Sequence, residues 1–95
     1  MSKIVVNFNF PDLSPEQYDK ILLETEPQRK ANYPGLLFHV AAPNGKGLFV
    51  CDIWESEEHF KAFGEIVLPA ISQVGATPVP PSIFKFHNLI EELNQ

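Results

Sequence analysis

From Lys3 to Phe10 the chain alternates, with Ile4, Val6, Phe8 and Phe10 on one parity and Val5, Asn7 and Asn9 on the other. A period of two predicts a strand with one dry face and one wetter face, closed by Pro11-Asp12. The period then lengthens. Ser14 can cap a helix, Pro15 suits its first position, and Gln17 can complete a capping box. Tyr18, Ile21, Leu22 and Thr25 follow at helical spacing, and Pro27 ends the helix near Glu26. Gln28 to Gly35 reads as a loop closed by Tyr33-Pro34-Gly35. Leu36 to Ala42 reads as a second strand and Leu48 to Trp54 as a third, joined by a hairpin in which Asn44-Gly45 supplies positive φ angles. Ser56 caps a second helix, with Glu57 and Glu58 at its positive end. Phe60, Phe63, Val67, Ile71 and Val74 form its buried stripe, Pro69 should kink or split it, and Gly75 stops it. A Pro-rich connection, Ala76 to Pro81, leads to a last strand from Ser82 to Leu89, and Glu91 to Gln95 reads as a frayed turn.

The order β-α-β-β-α-β is the split β-α-β pattern of a ferredoxin-like α+β fold, a four-stranded antiparallel sheet with two helices on one face. Residues 1–95 then form one domain. Alternation sorts the strands into two faces. Ile4, Val6, Phe8, Phe10, Leu36, Phe38, Val40, Phe49, Cys51, Ile53, Phe84 and Phe86 are expected under the helices. The other face is expected to hold Val5, Asn7, Asn9, Leu37, His39, Ala41, Leu48, Val50, Asp52, Trp54, Ile83, Lys85, His87 and Leu89. That second set mixes apolar rows with polar groups. A wholly solvated face has no need of the first, and a dry interface has no use for the second. A cavity between two sheets of a homodimer would satisfy both, with the polar groups converging on water or a ligand.

Composition narrows the partners. Net charge is −5 and the seven Lys and Arg are scattered, against nucleic-acid binding. No apolar run approaches the ~20 residues of a membrane span. The single Cys51 allows no internal disulfide and no Cys-rich zinc site. With no signal peptide in evidence at Met1-Ser2-Lys3, the expectation is a cytoplasmic protein.

Tyr33-Pro34-Gly35 before the second strand, Asp52-Ile53-Trp54-Glu55-Ser56-Glu57-Glu58-His59-Phe60 across a strand-to-helix junction, and Leu68-Pro69 late in the second helix together resemble the dimeric α/β-barrel superfamily, which includes the antibiotic-biosynthesis monooxygenase-like domains. The resemblance spans nearly the whole chain. It implies a homodimer with a pocket between helices and sheet or within the barrel. Some members are cofactor-free oxygenases of aromatic polyketides, others degrade heme, and many have no known activity. The resemblance places Trp54 where oxygenases often carry a functional tryptophan, and Asn7 or Asn9 on a strand that can supply an asparagine. A heme-degrading pattern would need Asn7, Trp54 and His59 or a neighbour in register.

His39 and His87 are the titratable groups best suited to proton transfer near neutral pH, and Asp52 can orient one of them as a base. Each also reads as a structural group making an inter-strand or inter-subunit hydrogen bond. A His39–His87–Asp52 metal site lacks close ligand spacing, so neither metal nor cofactor is expected. Asn7, Asn9, Trp54 and Lys85 are candidate substrate contacts, though Trp54 could plug a barrel end and Lys85 could meet an acidic group of a partner subunit. Tyr18 reads as core with a hydroxyl to lend, and Cys51 as a buried small hydrophobe rather than a nucleophile. Two functions remain open. One is a homodimeric pocket protein, a cofactor-free monooxygenase or isomerase on a hydrophobic, oxygenated small molecule. The other is a non-enzymatic dimerisation module whose polar residues only set sheet register.

Overall fold

The computed structural model describes residues 2–27 and 33–91. Most of the Gln28–Gly35 loop and of the Glu91–Gln95 tail lies outside the described residues. The elements are β1 (Ile4–Phe10), α1 (Pro15–Glu24), β2 (Leu36–Asn44), β3 (Gly47–Trp54), α2 (Glu57–Gln73) and β4 (Ser82–Lys85). The sheet order is β2-β3-β1-β4 and every neighbouring pair is antiparallel, the ferredoxin-like α+β arrangement.

The helix signals act as their chemistry requires. Ser14 Oγ accepts from the Gln17 N–H at 3.1 Å, and Gln17 Oε1 accepts from the Ser14 N–H at 2.8 Å. Gln17 Nε2 also donates to the Val74 carbonyl at 2.9 Å, tying α1 to the end of α2. α2 runs continuously through Pro69 rather than splitting. It ends in a Schellman motif, with Gly75 at φ 84° and the Ala76 N–H donating to the Ile71 carbonyl. The hairpin turn is Gly45-Lys46, one residue later than expected. Asn44 pairs with Gly47, and Gly45 alone supplies the positive φ, at 61°. β4 is half its expected length and leaves His87 and Leu89 beyond its end.

Register corrects the expected faces. Residues directly opposed in an antiparallel pair share a face. Ile4, Val6, Phe8 and Phe10 oppose Trp54, Asp52, Val50 and Leu48. These pack with Leu13, Ile21, Phe60, Phe63, Ala70 and Ile71 in the core under the helices. His39 opposes Asp52 and Ala41 opposes Val50, so they also face the helices, as do Ile83 and Lys85 opposite Val6 and Ile4. Phe38, Val40, Phe49, Cys51, Ile53 and Phe84 share the second face with Val5, Asn7 and Asn9. Two causes are visible. A bulge between Leu36 and Phe38 inserts Leu37 and reverses the parity of β2. β3 is apolar on both parities, so alternation alone leaves its orientation undetermined.

Gly35 positions the start of β2. Its φ is 87°, its carbonyl accepts from the Glu55 N–H at 2.8 Å, and a Cβ there would lie 2.3 Å from His59 Cγ. Gly35→Ala is therefore expected to destabilise the fold by about 2 kcal/mol, from left-handed backbone strain plus displacement of the His59 ring. Urea unfolding of Gly35→Ala, His59→Ala and the double variant checks this. The double variant should recover part of the loss, because only the ring clash is relieved, and strictly additive losses would contradict the contact.

Candidate functional site

A cavity of about 350 Å³ opens between α1, α2 and the helix-facing side of the sheet. Its wall is largely aliphatic and aromatic, including Phe8, Ile21, Val50 and Val67. Five residues bring polar atoms to it: Tyr18, Thr25, Tyr33, His39 and Asp52.

Two of these close on each other. Thr25 Oγ1 donates to the Ile21 carbonyl at 2.9 Å, which uses its one proton. The Tyr33 hydroxyl, 2.6 Å from Thr25 Oγ1, is therefore the donor of that pair. Tyr33 is held edge-on to Phe63 with centroids 5.1 Å apart.

The other three form a chain. His39 Nδ1 lies 2.5 Å from Asp52 Oδ1, and the Tyr18 hydroxyl lies 2.6 Å from His39 Nε2. The local fold explains the meeting. His39 and Asp52 are directly opposed across β2 and β3, and Tyr18 projects from the first turn of α1, next to the Gln17 anchor. The Asp52 side chain is 2% exposed and that of His39 is 32% exposed. A carboxylate only accepts, so it holds the imidazole proton on Nδ1 and leaves the Nε2 lone pair directed away from itself. An oriented imidazole beside an apolar cavity is the arrangement of a general base.

His39 and Asp52 thus come together, in the helix layer rather than on the second face. The other candidates are placed elsewhere. His87 is exposed beyond the end of β4, and Lys85 is exposed on that edge strand. Asn7 and Asn9 lie on the second face. Asn7 Oδ1 is covered and unbonded among the described residues, and Asn9 Oδ1 accepts from Asn44 Nδ2 at 3.0 Å. Trp54 is fully buried, its ring 4.9 Å from that of Phe63, and it does not line the cavity. Its Nε1 has no hydrogen-bond partner among the described residues. His59 Nδ1 bonds Ser56 Oγ at 2.7 Å, beside the cap of α2. Asn7, Trp54 and His59 line neither of the cavities formed by the described residues. No cluster of three or more His, Cys, Asp or Glu able to hold a metal occurs among the described residues.

Cys51 is only half-buried and lies on the second face, whereas alternation places it buried under the helices. Burial and then the neighbouring Asp52 charge push its thiol above the ordinary cysteine range, which keeps it protonated and poorly nucleophilic. Tyr18, which the apolar stripe marks as core with a hydroxyl to lend, lends it to His39, and only the reversed parity of β2 brings the two together.

A second cavity of similar size lies across α2, between Phe60, Leu68 and the Pro78–Pro81 connection, and has no histidine or aspartate in its wall. No helix among the described residues is long and apolar enough to cross a membrane.

The fold matches that of several solved structures. SnoaB, a cofactor-independent oxygenase from Streptomyces nogalater, superposes with a TM-score of 0.65 at 14% identity, covering 97% of this chain and 100% of its own. A monooxygenase from the gene ActVA-Orf6 of Streptomyces coelicolor, solved with the ligand Nanaomycin D, gives 0.55 at 19% identity, covering 99% and 93%. NE2512, a protein of unknown function from Nitrosomonas europaea, gives 0.59 at 22% identity, covering 100% and 97%. In sequence the chain matches no family model and no curated protein. At these identities the likeness establishes the shared fold.

Proposed function

We propose that this protein binds an apolar, oxygenated small molecule in the cavity between helices and sheet and removes a proton from it with the His39–Asp52 dyad. The observation that carries the reading is the 2.5 Å contact between His39 Nδ1 and a buried carboxylate at the wall of a 350 Å³ apolar cavity. A space of that size suits a ligand of roughly two to three fused rings. Loss of a proton beside a carbonyl or phenol leaves an electron-rich enolate. Such an anion can itself reduce dioxygen, so a methylene becomes a carbonyl and the second oxygen atom leaves as water. Cofactor-free monooxygenation is therefore the favoured outcome. It agrees with the cofactor-independent oxygenase activity of the Streptomyces nogalater neighbour, and isomerisation is the outcome where the proton returns elsewhere. A purely structural module would be expected to fill this space with side chains.

The second face completes the proposal. Phe38, Val40 and Phe84 are 38%, 43% and 54% exposed on it, an apolar patch suited to a second copy of the chain. The lone Cys51 thiol fits a reducing cytoplasmic setting.

The test uses anthrone, a three-ring ketone with an acidic methylene. Oxygen uptake should be accelerated by the wild type and should fall about 100-fold or more in His39→Gln. Equal rates with and without protein, together with no detectable binding of anthrone, would sink the proposal.

A further inference from the structure

We propose that Tyr18, beside His39 in the cavity wall, is the group that takes the substrate proton, and that the proton passed on to His39 goes through its phenolic oxygen. This rests on the dyad reading and deepens it. An imidazole ring has two nitrogens. Nδ1 of His39 is engaged by Asp52 Oδ1 at 2.5 Å, and Nε2 is engaged by the Tyr18 hydroxyl at 2.6 Å. The two rings are parallel to within 3° with centroids 6.1 Å apart, too far for face-to-face contact and suited to a hydroxyl meeting a ring edge. The basic lone pair is therefore already occupied.

Tyr18 is not free to swing aside with its helix. It follows Gln17, whose side chain bonds both the Ser14 N–H and the Val74 carbonyl. Tyr18 forms part of the cavity wall. A ligand in that cavity meets a phenol backed by an oriented imidazole, and the imidazole in turn is backed by a buried carboxylate.

The transfer is a double one. The substrate C–H or O–H bond breaks and its proton bonds to the Tyr18 oxygen. The phenolic O–H breaks in concert and its proton bonds to His39 Nε2. The electron pair of the broken bond stays on the substrate as an enolate or phenolate, the imidazolium charge faces Asp52, and no oxidant is needed. The reverse motion returns a proton. The Tyr18 hydroxyl lies where it can also donate to the new oxyanion, so the substrate class is a ring system whose acidic proton neighbours a carbonyl or phenol oxygen.

Deuterium exchange at the α-carbons of 2-tetralone in D₂O, followed by NMR with the full chain, reads this step without oxygen. Wild type should accelerate exchange over buffer. Both His39→Gln and Tyr18→Phe should lose about tenfold or more, with 2-tetralone affinity in Tyr18→Phe changed less than about threefold. Exchange in Tyr18→Phe equal to wild type, with His39→Gln inactive, would show direct transfer to His39. That outcome overturns the relay and leaves the dyad standing. Wild-type exchange no faster than buffer would overturn both. Should Tyr18→Phe fail to fold, 3,5-difluorotyrosine at position 18 keeps the shape and changes the phenol acidity. An exchange rate unchanged by it would equally overturn the relay.

Discussion

Asp52→Asn is expected to lower turnover of an acidic C–H probe by about 100-fold or more while leaving the melting temperature unchanged or raised. The carboxylate is 2% exposed and, among the described residues, is hydrogen-bonded to His39. Removing it frees the imidazole to take either tautomer, and an amide NH₂ facing Nδ1 favours the wrong one. In that tautomer Nδ1 carries the lone pair and Nε2 the proton, so the base points away from Tyr18. Stability responds in the opposite sense. A buried carboxylate whose partner among the described residues is partly exposed carries a desolvation cost, and a neutral residue of the same shape avoids it. Sites kept for chemistry commonly show this opposition. Thermal melts and probe turnover on the same preparation decide the matter. A strongly lowered melting temperature with turnover untouched would make Asp52 a structural partner and would end the case for the dyad.

The second large effect falls on stability. Trp54→Ala is expected to cost about 3–5 kcal/mol, within the range for truncating a large aromatic in a packed core. The side chain is fully buried, and it packs with Ile4 and Val6 on β1 and against Phe60 and Phe63 on α2. It thereby joins sheet and second helix. Its indole N–H has no partner among the described residues, so Trp54→Phe removes a polar atom along with volume and should cost less than the alanine variant. Because Trp54 does not line the cavity, Trp54→Phe should retain probe turnover per folded molecule. Urea unfolding and turnover of both variants test this. Loss of turnover in a stably folded Trp54→Phe would return the tryptophan to the substrate site.

Much of the architecture is written locally. The Ser14 and Ser56 caps, the apolar stripes of both helices, the Gly75 stop and the glycine turn between β2 and β3 are short-range signals. Each depends on bonding or sterics within a few residues, so each is legible from neighbours in the chain. Element order, and with it the ferredoxin-like fold, follows from them. His39 and Asp52 could be picked out as a pair because residue chemistry and strand assignment need no knowledge of which face is which.

Facing is another kind of property, because it depends on what lies across the sheet. The bulge at Leu37 exists only through pairing with β3, and β3 offers apolar residues on both of its faces. Local alternation therefore cannot choose between two orientations of nearly equal greasiness; the choice belongs to packing against Phe60, Phe63 and Ile71. That choice buried Asp52, brought His39 beneath α1 and met it there with Tyr18. It also left His87, Lys85, Asn7 and Asn9 outside the cavity and Trp54 in the core. Residue types and their order along the chain determined the elements and the candidate chemistry. Only the tertiary structure decided which side chains share a wall, because a one-residue shift in strand parity reverses every facing while leaving the elements themselves unchanged.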